Sequence, residues 1–345
     1  MTMFYHGLTW WRNFFYDIGF FVTRSVATPV VSVGNITMGG TGKTPATIFL
    51  SGLLTNLGYR VGIVSRGYKR QTKGTLLVSD GAKTLVSSAD GGDEPVLMAQ
   101  RLTGVPVLVD EDRYRGASYL ESSHQLDVIL LDDGFQHRGL ARDFDIVLLD
   151  ATDTRSAYHI FPYGLMREGQ AGLKRADLVI WTRTERAAPS GTLLERITDN
   201  GTSQLSSRME VCPELRELGS DRDVSAGELL GCHIIAFCGI ARPSSFYNAL
   251  MALGLEPEAV RYFPDHHEYQ LRDIKELESL AAEDDAILVT TAKDAIRLAG
   301  TDLAGLKLYI LEIKFTLEAE AETTLQQRLL EILPPLSTEM TVGEA

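Results

Sequence analysis

A glycine-rich loop near the start of the chain restricts its fold more than any other feature of the sequence. The apolar segment Val30–Val33 leads into Gly34–Thr44, which reads GNITMGGTGKT, and a helical pattern follows. A strand, a glycine loop and a helix in this order form a phosphate-binding loop. Gly39, Gly40 and Gly42 let backbone N–H groups turn toward phosphate oxygens, and the helix N-terminus adds its positive dipole end. This segment, called the phosphate loop below, predicts nucleotide binding.

Two side chains of the phosphate loop suit nucleotide chemistry. Lys43 is placed to reach the β- and γ-phosphates, and Thr44 offers its hydroxyl to Mg²⁺. The first glycine of the common G-x-x-x-x-G-K-[ST] pattern is replaced by Thr37, so the loop is a variant. We expect ATP and Mg²⁺ as cofactors, with the phosphates held by Gly39, Gly40, Thr41, Gly42, Lys43 and Thr44.

An apolar segment that ends in two carboxylates supplies the acidic partner of the phosphate loop. Residues 126–137 read LDVILLDDGFQH, so Asp132 and Asp133 follow a predicted strand. In this Walker B arrangement one aspartate holds Mg²⁺, directly or through water, and its neighbour positions another ligand. We therefore expect Thr44, Asp132 and Asp133 in the metal region. Which of the two aspartates contacts Mg²⁺ directly stays open. For His137 the sequence leaves a functional and a structural role open.

Short apolar runs alternate with helical patterns over most of the chain, which predicts an α/β fold with a parallel sheet sandwiched by helices. The predicted strands lack polar alternation, as is typical of strands buried on both faces: Pro29–Gly34, Val61–Val64, Val105–Val109, Val128–Asp132, Ile146–Asp150 and Leu178–Trp181. We assign 29–200 to a P-loop domain and 225–345 to a second, smaller α/β domain. The polar stretch Ala187–Ser225 is interpreted as the linker region.

The first 28 residues form an unusually aromatic segment, with nine aromatic residues among the first 21. Trp11, Phe14, Phe15, Ile18 and Val22 recur at helical spacing and form one apolar face. Charged residues interrupt the segment, so it has no apolar run of the ~18 residues needed to span a bilayer. Two interpretations remain open. The helix lies in the membrane interface, where Trp and Tyr are favoured, or it packs on the protein's own core.

The charge of the chain argues against nucleic acid as a partner. The sequence has 33 Lys and Arg against 46 Asp and Glu, which gives a net charge of −13 at pH 7. Proteins that neutralise many phosphates carry a basic excess instead. The three cysteines form no CxxC pair and lie at no zinc-finger spacing from a histidine. A small phosphorylated ligand or a phosphorylated lipid stays compatible with this composition.

Two polar turns carry groups suited to phosphoryl transfer to a hydroxyl. Residues 90–95 read DGGDEP, and Asp93 or Glu94 is a candidate base near the acceptor oxygen. Capping of the following helix is the alternative role for these acids. Residues 263–269 read FPDHHEY, and adjacent histidines do not easily aim at one metal ion from a regular element. The second turn is therefore interpreted either as a site loop with one working histidine or as a plain surface loop.

Several basic residues lie next to these motifs. Guanidinium and ammonium groups bind phosphate oxygens well, and a solvated surface charge is the alternative role for each residue. The candidates are Arg66, Lys69, Arg113, Arg167 and Lys293.

In combination, these motifs resemble the tetraacyldisaccharide 4′-kinase family, the kinases of the lipid A pathway. The sequence DDGFQH after this variant phosphate loop is highly specific, and the position of Thr37 is also non-glycine in that family. The resemblance runs nearly end to end, through the aromatic N-terminus, Ser32–Pro45, Ser65–Tyr68, Gly91–Pro95, Asp132–His137, Pro162–Glu168, Gly239–Pro243, Asp265–His267 and Thr291–Asp294.

The resemblance implies a kinase that moves the γ-phosphate of ATP to the 4′-hydroxyl of a lipid A disaccharide 1-phosphate carrying four acyl chains. It implies a peripheral protein at the cytoplasmic face of the bacterial inner membrane, with two α/β domains around a cleft. Because the acceptor is a lipid, it also favours the interfacial interpretation of the N-terminal helix. No obligate protein partner is inferred.

Site roles follow from the same resemblance. Asp93 takes the role of the base, His266 orients or tunes it, and the choice of His266 over His267 stays open. Arg167 lies by the substrate in this assignment. The remaining assignments are Lys43 and Thr44 for ATP and Mg²⁺, Asp132 and Asp133 for the metal region, and Arg66 and Arg113 as further substrate contacts.

Two other functions compete with this interpretation. A regulatory ATPase of the deviant P-loop group carries an additional lysine early in the loop, and Met38 occupies that place here. A small-molecule kinase would pack the aromatic helix in its core and act on a soluble acceptor without detergent.

Overall fold

The computed structural model describes residues 2–336, except 221, 284, 302 and 304. Two sheets flanked by helices confirm the predicted α/β class. The larger sheet is parallel except at its two edges. Its nine strands, in spatial order, are β15 (Ile313–Leu317), β8 (Ser203–Val211), β7 (Leu178–Thr182), β6 (Phe144–Asp150), β1 (Val30–Asn35), β5 (Val128–Asp132), β2 (Val61–Ser65), β4 (Pro106–Val109) and β3 (Leu76–Asp80).

The central strands of this sheet are buried along their whole length, as their apolar sequences predict. All residues of β1 and β5 are buried, and the two strands pair in parallel with Val33 opposite Asp132. Parallel neighbours end at the same edge of a sheet. The pairing therefore brings the phosphate loop, which follows β1, next to the carboxylates that end β5.

The smaller sheet has six strands and a core of its own. Its strands, in spatial order, are β10 (Asp223–Ser225), β9 (Glu214–Glu217), β14 (Leu308–Leu311), β13 (Ile287–Thr291), β11 (Ile234–Cys238) and β12 (Ala259–Tyr262). The four strands from β14 to β12 are parallel to one another, whereas β9 and β10 run antiparallel at the edge.

Ten α-helices connect and cover the strands in the part of the chain that the structure describes. They are α1 (Thr2–Asp17), α2 (Lys43–Asn56), α3 (Ser88–Gly91), α4 (Asp93–Arg101), α5 (Arg113–Ser123), α6 (Gly191–Asp199), α7 (Pro243–Ala252), α8 (Leu271–Glu283), α9 (Ala292–Leu298) and α10 (Ala319–Leu330). Short 3₁₀ segments occur at Arg155–Tyr158, Gln170–Arg175 and Ala226–Leu229.

The end of the chain differs from the sequence-based division into domains. After β14 the chain returns to the larger sheet, where β15 pairs antiparallel with β8. Leu325 and Leu329 of α10 are buried in the core of that sheet, and the rings of Phe49 and Phe315 lie 5.2 Å apart. Residues 313–336 of the predicted second domain therefore pack with the first sheet, because their apolar faces are buried there. Residues 337–345 lie outside the described part.

The predicted linker 187–225 is mostly regular structure. It contains α6, β8 and β9, and β8 is an internal strand of the larger sheet. Leu193 and Ile197 of α6 are buried, so the polar composition of the segment concealed an amphipathic helix. The chain crosses to the smaller sheet through Cys212 and Pro213, which separate β8 from β9, and returns through Glu312, between β14 and β15.

The aromatic N-terminal helix ends at Asp17, before the predicted boundary at residue 28. Its polar side contacts the larger domain: Asn13 Nδ2 donates to Glu168 Oε2 at 2.8 Å, and Arg138 pairs with Asp17 at 2.7 Å. Trp10 and Trp11 keep about half of their surface exposed, at 53% and 51%. Among the described residues no helix is both long and apolar enough to cross a membrane.

Candidate active site

The phosphate loop adopts a backbone conformation that requires glycine. Gly39 and Gly42 have φ angles of 112° and 90°, in the left-handed region that L-residues with side chains rarely enter. Gly42 is the N-cap of α2, and no side chain caps the helix. A Cβ atom added at Gly40 would meet no atom within 4 Å, so this side of the loop is open. The uncapped N–H groups are therefore free to bind phosphate oxygens.

Hydrogen bonds from Asn35, Thr182 and Arg183 fix the shape of the phosphate loop. Asn35 Nδ2 donates to Thr41 Oγ1 at 2.9 Å, and Thr182 Oγ1 donates to the Thr41 carbonyl at 3.1 Å. Arg183 Nη2 donates to the Gly40 carbonyl at 2.9 Å. Thr41 is buried, so it contributes to the site by holding the loop.

Lys43 and Arg167 converge on Asp133. Lys43 Nζ lies 3.5 Å from Asp133 Oδ1, and Arg167 Nη1 lies 2.9 Å from both carboxylate oxygens. Burial raises the pKa of Asp133, but Lys43 and Arg167 outweigh that effect and hold it at about 2. Asp133 has φ 50°, a conformation that aspartate tolerates better than most residues. The structure thus brings together three residues from separate sequence motifs.

Asp132 is buried beside Asp133 but has no direct cationic partner among the described residues. Its Oδ2 accepts from Ser65 Oγ at 2.8 Å, and Thr47 Oγ1 lies 3.5 Å from its Oδ1. Burial, followed by repulsion from Glu94 and Asp133, raises the pKa of Asp132 to about 6. A buried carboxylate of this kind gains from a divalent cation, which would neutralise its charge.

The raised pKa of Asp132 predicts that Asp132→Asn stabilises the nucleotide-free protein at neutral pH. A folded-state pKa above the unfolded value means that stability falls as pH rises from about 4 through about 6. Asparagine carries no charge at any of these pH values. We therefore expect the variant to be more stable than the wild type by about 1–3 kcal/mol at pH 8, with a small difference at pH 4.5. Urea unfolding without nucleotide or Mg²⁺ at the two pH values measures this difference.

A variant that is less stable than the wild type at pH 8 would contradict the burial of an unneutralised charge at Asp132. The exposed Asp80→Asn serves as the matched control. Its carboxylate lies in a surface turn, where it accepts hydrogen bonds from the N–H groups of Ala82 and Lys83. These hydrogen bonds, and not burial, are the main cause of its lowered pKa. Asp80→Asn is therefore not expected to gain stability with rising pH.

The carboxylates of Asp93 and Glu94 face the smaller domain. Gly92, with φ 89°, precedes α4, and a Cβ there would approach Gly67 Cα to 3.2 Å. No side chain caps α4, so capping does not account for the two acids. Glu94 instead forms an ion pair with Lys293, which is the main cause of its lowered pKa. Lys43 and Asp133 also act on the pKa of Glu94, so this turn shares its electrostatic surroundings with the phosphate loop.

The two adjacent histidines of the predicted site loop point to different partners. His266 Nδ1 lies 2.9 Å from Asp93 Oδ2, and because a carboxylate only accepts, Nδ1 is the donor. His267 Nε2 contacts Asp273 within its own domain at 2.8 Å and stacks on Phe263. His266 has φ 62°, which turns the two side chains apart. This geometry favours His266 as the partner of Asp93.

The remaining predicted cations occupy different environments. Arg113 is buried, and burial lowers its pKa to about 10, against the attraction of Asp132 and Asp133. Arg66 is exposed. Arg113 and Arg66 also act with burial to lower the pKa of His137 to about 4, so His137 is neutral at pH 7. Lys69 Nζ donates to the Asp265 carbonyl at 3.3 Å, across the two domains.

Sequence reasoning missed a second cluster beside the phosphate loop. Asp150, fully buried at the end of β6, pairs with Arg183 and with Arg242 of the smaller domain. Arg242 also binds Asp153 at 2.6 Å. The segment Gly239–Pro243 was part of the resemblance, but no role was assigned to its arginine. The only available signal was the position of Asp150 at the end of a buried strand, like that of Asp132.

The residues present fit a nucleotide with a divalent cation. Phosphates would be held by open loop N–H groups and by Lys43, and the chemistry of the donor set suits Mg²⁺, which prefers hard oxygen ligands. The predicted oxygens are those of Thr44, Asp132 and Asp133, and the buried Asp132 forms no ion pair with a described cation. Among the described residues there is no group of three or more His, Cys, Asp or Glu side chains that could hold a metal by itself.

Comparisons with known proteins give one consistent result. Residues 1–331 match the family model described as tetraacyldisaccharide-1-P 4′-kinase. Tetraacyldisaccharide 4′-kinase of Syntrophus aciditrophicus is 41% identical over 325 residues, which cover 90% of this chain and 86% of the relative. The enzyme of that name from Anaeromyxobacter dehalogenans strain 2CP-C is 39% identical over 307 residues, covering 88% and 81%.

A solved structure agrees with this result. The crystal structure of LpxK from Aquifex aeolicus in complex with ATP is 34% identical to this chain, with a TM-score of 0.79. The match covers 96% of this chain and 97% of that one. Sequence and fold therefore agree over nearly the whole length, and the chain belongs to the tetraacyldisaccharide 4′-kinase family.

Proposed function

We propose that this protein is an ATP-dependent kinase that phosphorylates the 4′-hydroxyl of a tetraacylated disaccharide 1-phosphate, a step of lipid A biosynthesis. The observation that carries the proposal is the position of Asp93 and Glu94. These acids begin α4, Glu94 lies in the field of Lys43 and Asp133, and Asp93 is hydrogen-bonded to His266. A candidate base thus adjoins the phosphate loop, which suits transfer to a hydroxyl better than nucleotide hydrolysis alone.

Each charged group has a role in the proposed reaction. The hydroxyl oxygen of the acceptor bonds to the γ-phosphorus, and ADP departs. Asp93 accepts the proton that this hydroxyl loses. His266 keeps the Asp93 carboxylate in one orientation. Lys43 neutralises charge that develops on the transferred group. Mg²⁺, held by Thr44 and by Asp132 or Asp133, supplies further charge neutralisation when bound.

Substrate contacts are assigned to three arginines. Arg167 binds Asp133 and follows the exposed loop that contains Tyr163, so it is suited to orient the acceptor beside the metal region. Arg66 and Arg113 adjoin His137 and make this side of the site locally basic on an acidic protein. A substrate that carries its own phosphate fits such a surface.

Transfer of ³²P from γ-labelled ATP to lipid A disaccharide 1-phosphate in detergent micelles tests the proposed function. We expect labelled product that depends on both Mg²⁺ and the lipid. Slow ATP hydrolysis that the lipid does not change would support a regulatory ATPase instead. Transfer to a soluble acceptor without detergent would support a small-molecule kinase. Both alternatives are less consistent with membership of the family.

We further propose that α1 holds the protein at the cytoplasmic face of the inner membrane. The polar side of α1 contacts the protein through Asn13 and Asp17, while its apolar side is exposed. The exposed apolar residues of α1 are Leu8, Trp10, Trp11 and Phe14, and the segment that follows the helix adds Ile18, Phe20, Phe21 and Val22. Such a patch fits the interface of a bilayer, where aromatic residues are favoured and a lipid acceptor is found.

Removing residues up to Arg24, or replacing Trp11, Phe14 and Phe15 with serine, is expected to reduce binding to lipid vesicles. We expect the apparent KM for the lipid to rise about tenfold or more, since each lost aromatic group forfeits ~1.5–3 kcal/mol of apolar burial. The KM for ATP should stay the same, because the contacts that α1 makes through Asn13 and Asp17 are with Glu168 and Arg138 and not with the phosphate loop. Vesicle sedimentation and steady-state kinetics measure both effects.

Replacing three exposed residues of the smaller domain, Leu230, Tyr262 and Leu271, with serine is the matched control. This control removes apolar surface elsewhere and should leave vesicle binding unchanged. If the α1 variants unfold, or if the control reduces vesicle binding equally, the interfacial role of α1 is wrong.

We also propose that the smaller domain closes on the larger one when substrate binds. Arg242, His266, Lys293 and Arg297 reach from the smaller domain to carboxylates of the larger one. These contacts support a closed arrangement of the two domains, and closure around a substrate limits transfer of phosphate to water.

A further inference from the structure

Helix α9 of the smaller domain presents two cations to two adjacent carboxylates of the larger domain. Lys293 and Arg297 are four residues apart, so they share one face of the helix. Lys293 pairs with Glu94, and Arg297 Nε donates to Asp93 Oδ2 at 2.8 Å. The pairing joins residues that are 204 positions apart in the chain.

Arg297 is held rigidly while it binds Asp93. Its Nη1 donates to the Gly239 carbonyl at 3.0 Å and to Asp294 Oδ1 at 3.1 Å. Only 4% of its side chain is exposed, and Asp294 is fully buried. Tyr269 Oη and the Gly239 N–H also donate to Asp294 Oδ1. The guanidinium therefore has one fixed position, set by groups of the smaller domain.

His266 and Arg297 bind the same oxygen of Asp93. His266 Nδ1 lies 2.9 Å from Oδ2, and Arg297 Nε lies 2.8 Å from it. Within the described chain, Oδ1 of Asp93 accepts no hydrogen bond. Two donors on one oxygen fix the orientation of the carboxylate and leave the other oxygen available as an acceptor.

A purely structural ion pair explains Arg297 less well. Its Nη2 is buried and has no hydrogen-bond partner among the described residues. A buried donor without a partner is destabilising, so this arginine is not placed for stability alone. Among the neighbouring groups, Lys293 pairs with Glu94, Asp265 Oδ2 lies 3.8 Å from His266 Nε2, and Asp294 pairs with Arg297 through Nη1, which leaves Nε for Asp93. Arg297 is the residue that adds a charged, fixed donor to Asp93.

We infer that Arg297 is a positioning residue for phosphoryl transfer. Together with His266 it holds Oδ2 of Asp93, so that Oδ1 is the oxygen that takes the proton of the acceptor hydroxyl. Because both donors belong to the smaller domain, the orientation of the base depends on the contact between the two domains. This inference rests on the proposed kinase function.

The test measures kcat and both KM values for Arg297→Met and Arg297→Lys. We expect Arg297→Met to lower kcat about 10²-fold, since small errors in positioning cost that much in rate. The KM for ATP should stay within about twofold of the wild type, because the phosphate loop is unchanged. Arg297→Lys should lower kcat about tenfold. The lysine ammonium keeps the charge, but it lacks the planar guanidinium that contacts both Asp93 and Gly239.

Two further measurements separate positioning from stability. Added guanidinium ion should restore part of the kcat of Arg297→Met but none of that of Asp93→Ala. The double variant Asp93→Ala/Arg297→Met should be little slower than Asp93→Ala, since groups that act through one another show non-additive losses. The control is Arg261→Met, which removes an exposed arginine of the same domain that pairs with Glu276 at 3.3 Å. Its kcat should equal that of the wild type.

The possible outcomes are distinguishable. If the wild-type protein phosphorylates the lipid and folded Arg297→Met has the same kcat, the role of Arg297 is overturned and the proposed function stands. If Arg297→Met does not fold, the Lys variant decides: a wild-type kcat in folded Arg297→Lys overturns the inference, and a tenfold loss at unchanged KM for ATP supports it. A wild-type protein that transfers no phosphate to the lipid would overturn the proposed function, and the inference with it.

Discussion

Lys43→Ala is expected to lower kcat for phosphoryl transfer by about 10²–10³-fold while the protein stays folded. Lys43 is the cation of the phosphate loop, and its loss removes a fixed positive charge from the transferred group. The fold should persist, because Asp133 keeps its contacts with Arg167 and the phosphate loop keeps its bonds from Asn35 and Thr182. Single-turnover ³²P transfer and circular dichroism measure the two quantities.

The exposed Lys83→Ala, in a surface turn of the same domain, is the matched control and should be fully active. Near-normal turnover by a folded Lys43→Ala protein would be incompatible with a kinase that uses this loop.

Asp93→Ala and His266→Ala are each expected to lower kcat substantially, by about 10²–10⁴-fold for the base. The two side chains are 173 positions apart in the chain and lie 2.9 Å apart in space. If they act as one unit, the double variant should be little slower than the slower single variant, because losses within a unit are not additive. Steady-state kinetics on the three variants, at saturating ATP, measures the coupling.

His267→Ala is the matched control for this comparison. His267 contacts Asp273 and Phe263 within the smaller domain, so its loss should affect stability more than kcat. Losses that multiply in the Asp93/His266 double variant would mean that the two residues act separately. If the His266→Ala protein is fully active, His266 does not orient Asp93, and His267 becomes the candidate for that role.

The phosphate loop and its acidic partner could be predicted because their information is local. A strand, a glycine loop and a helix are contiguous in the chain, and only glycine tolerates the φ angles found at Gly39 and Gly42. The six strands predicted from apolar runs match β1, β2, β4, β5, β6 and β7, since strands buried on both faces carry an unbroken apolar sequence. The β-sheet edges and the antiparallel β15 were missed, because short half-buried strands have weak patterns.

The sequence by itself thus determined the α/β fold, the family and the positions of the phosphate loop and its acidic partner. The tertiary structure decided which distant groups meet. The left-handed backbone at His266 directs its side chain to Asp93 and that of His267 to Asp273. The packing of α9 on the larger domain brings Arg297 to the same carboxylate. Likewise, β15 and α10 pack on the larger sheet, where Leu325 and Leu329 are buried in its core. Such contacts depend on how distant segments pack together, and no periodicity within one segment encodes that packing.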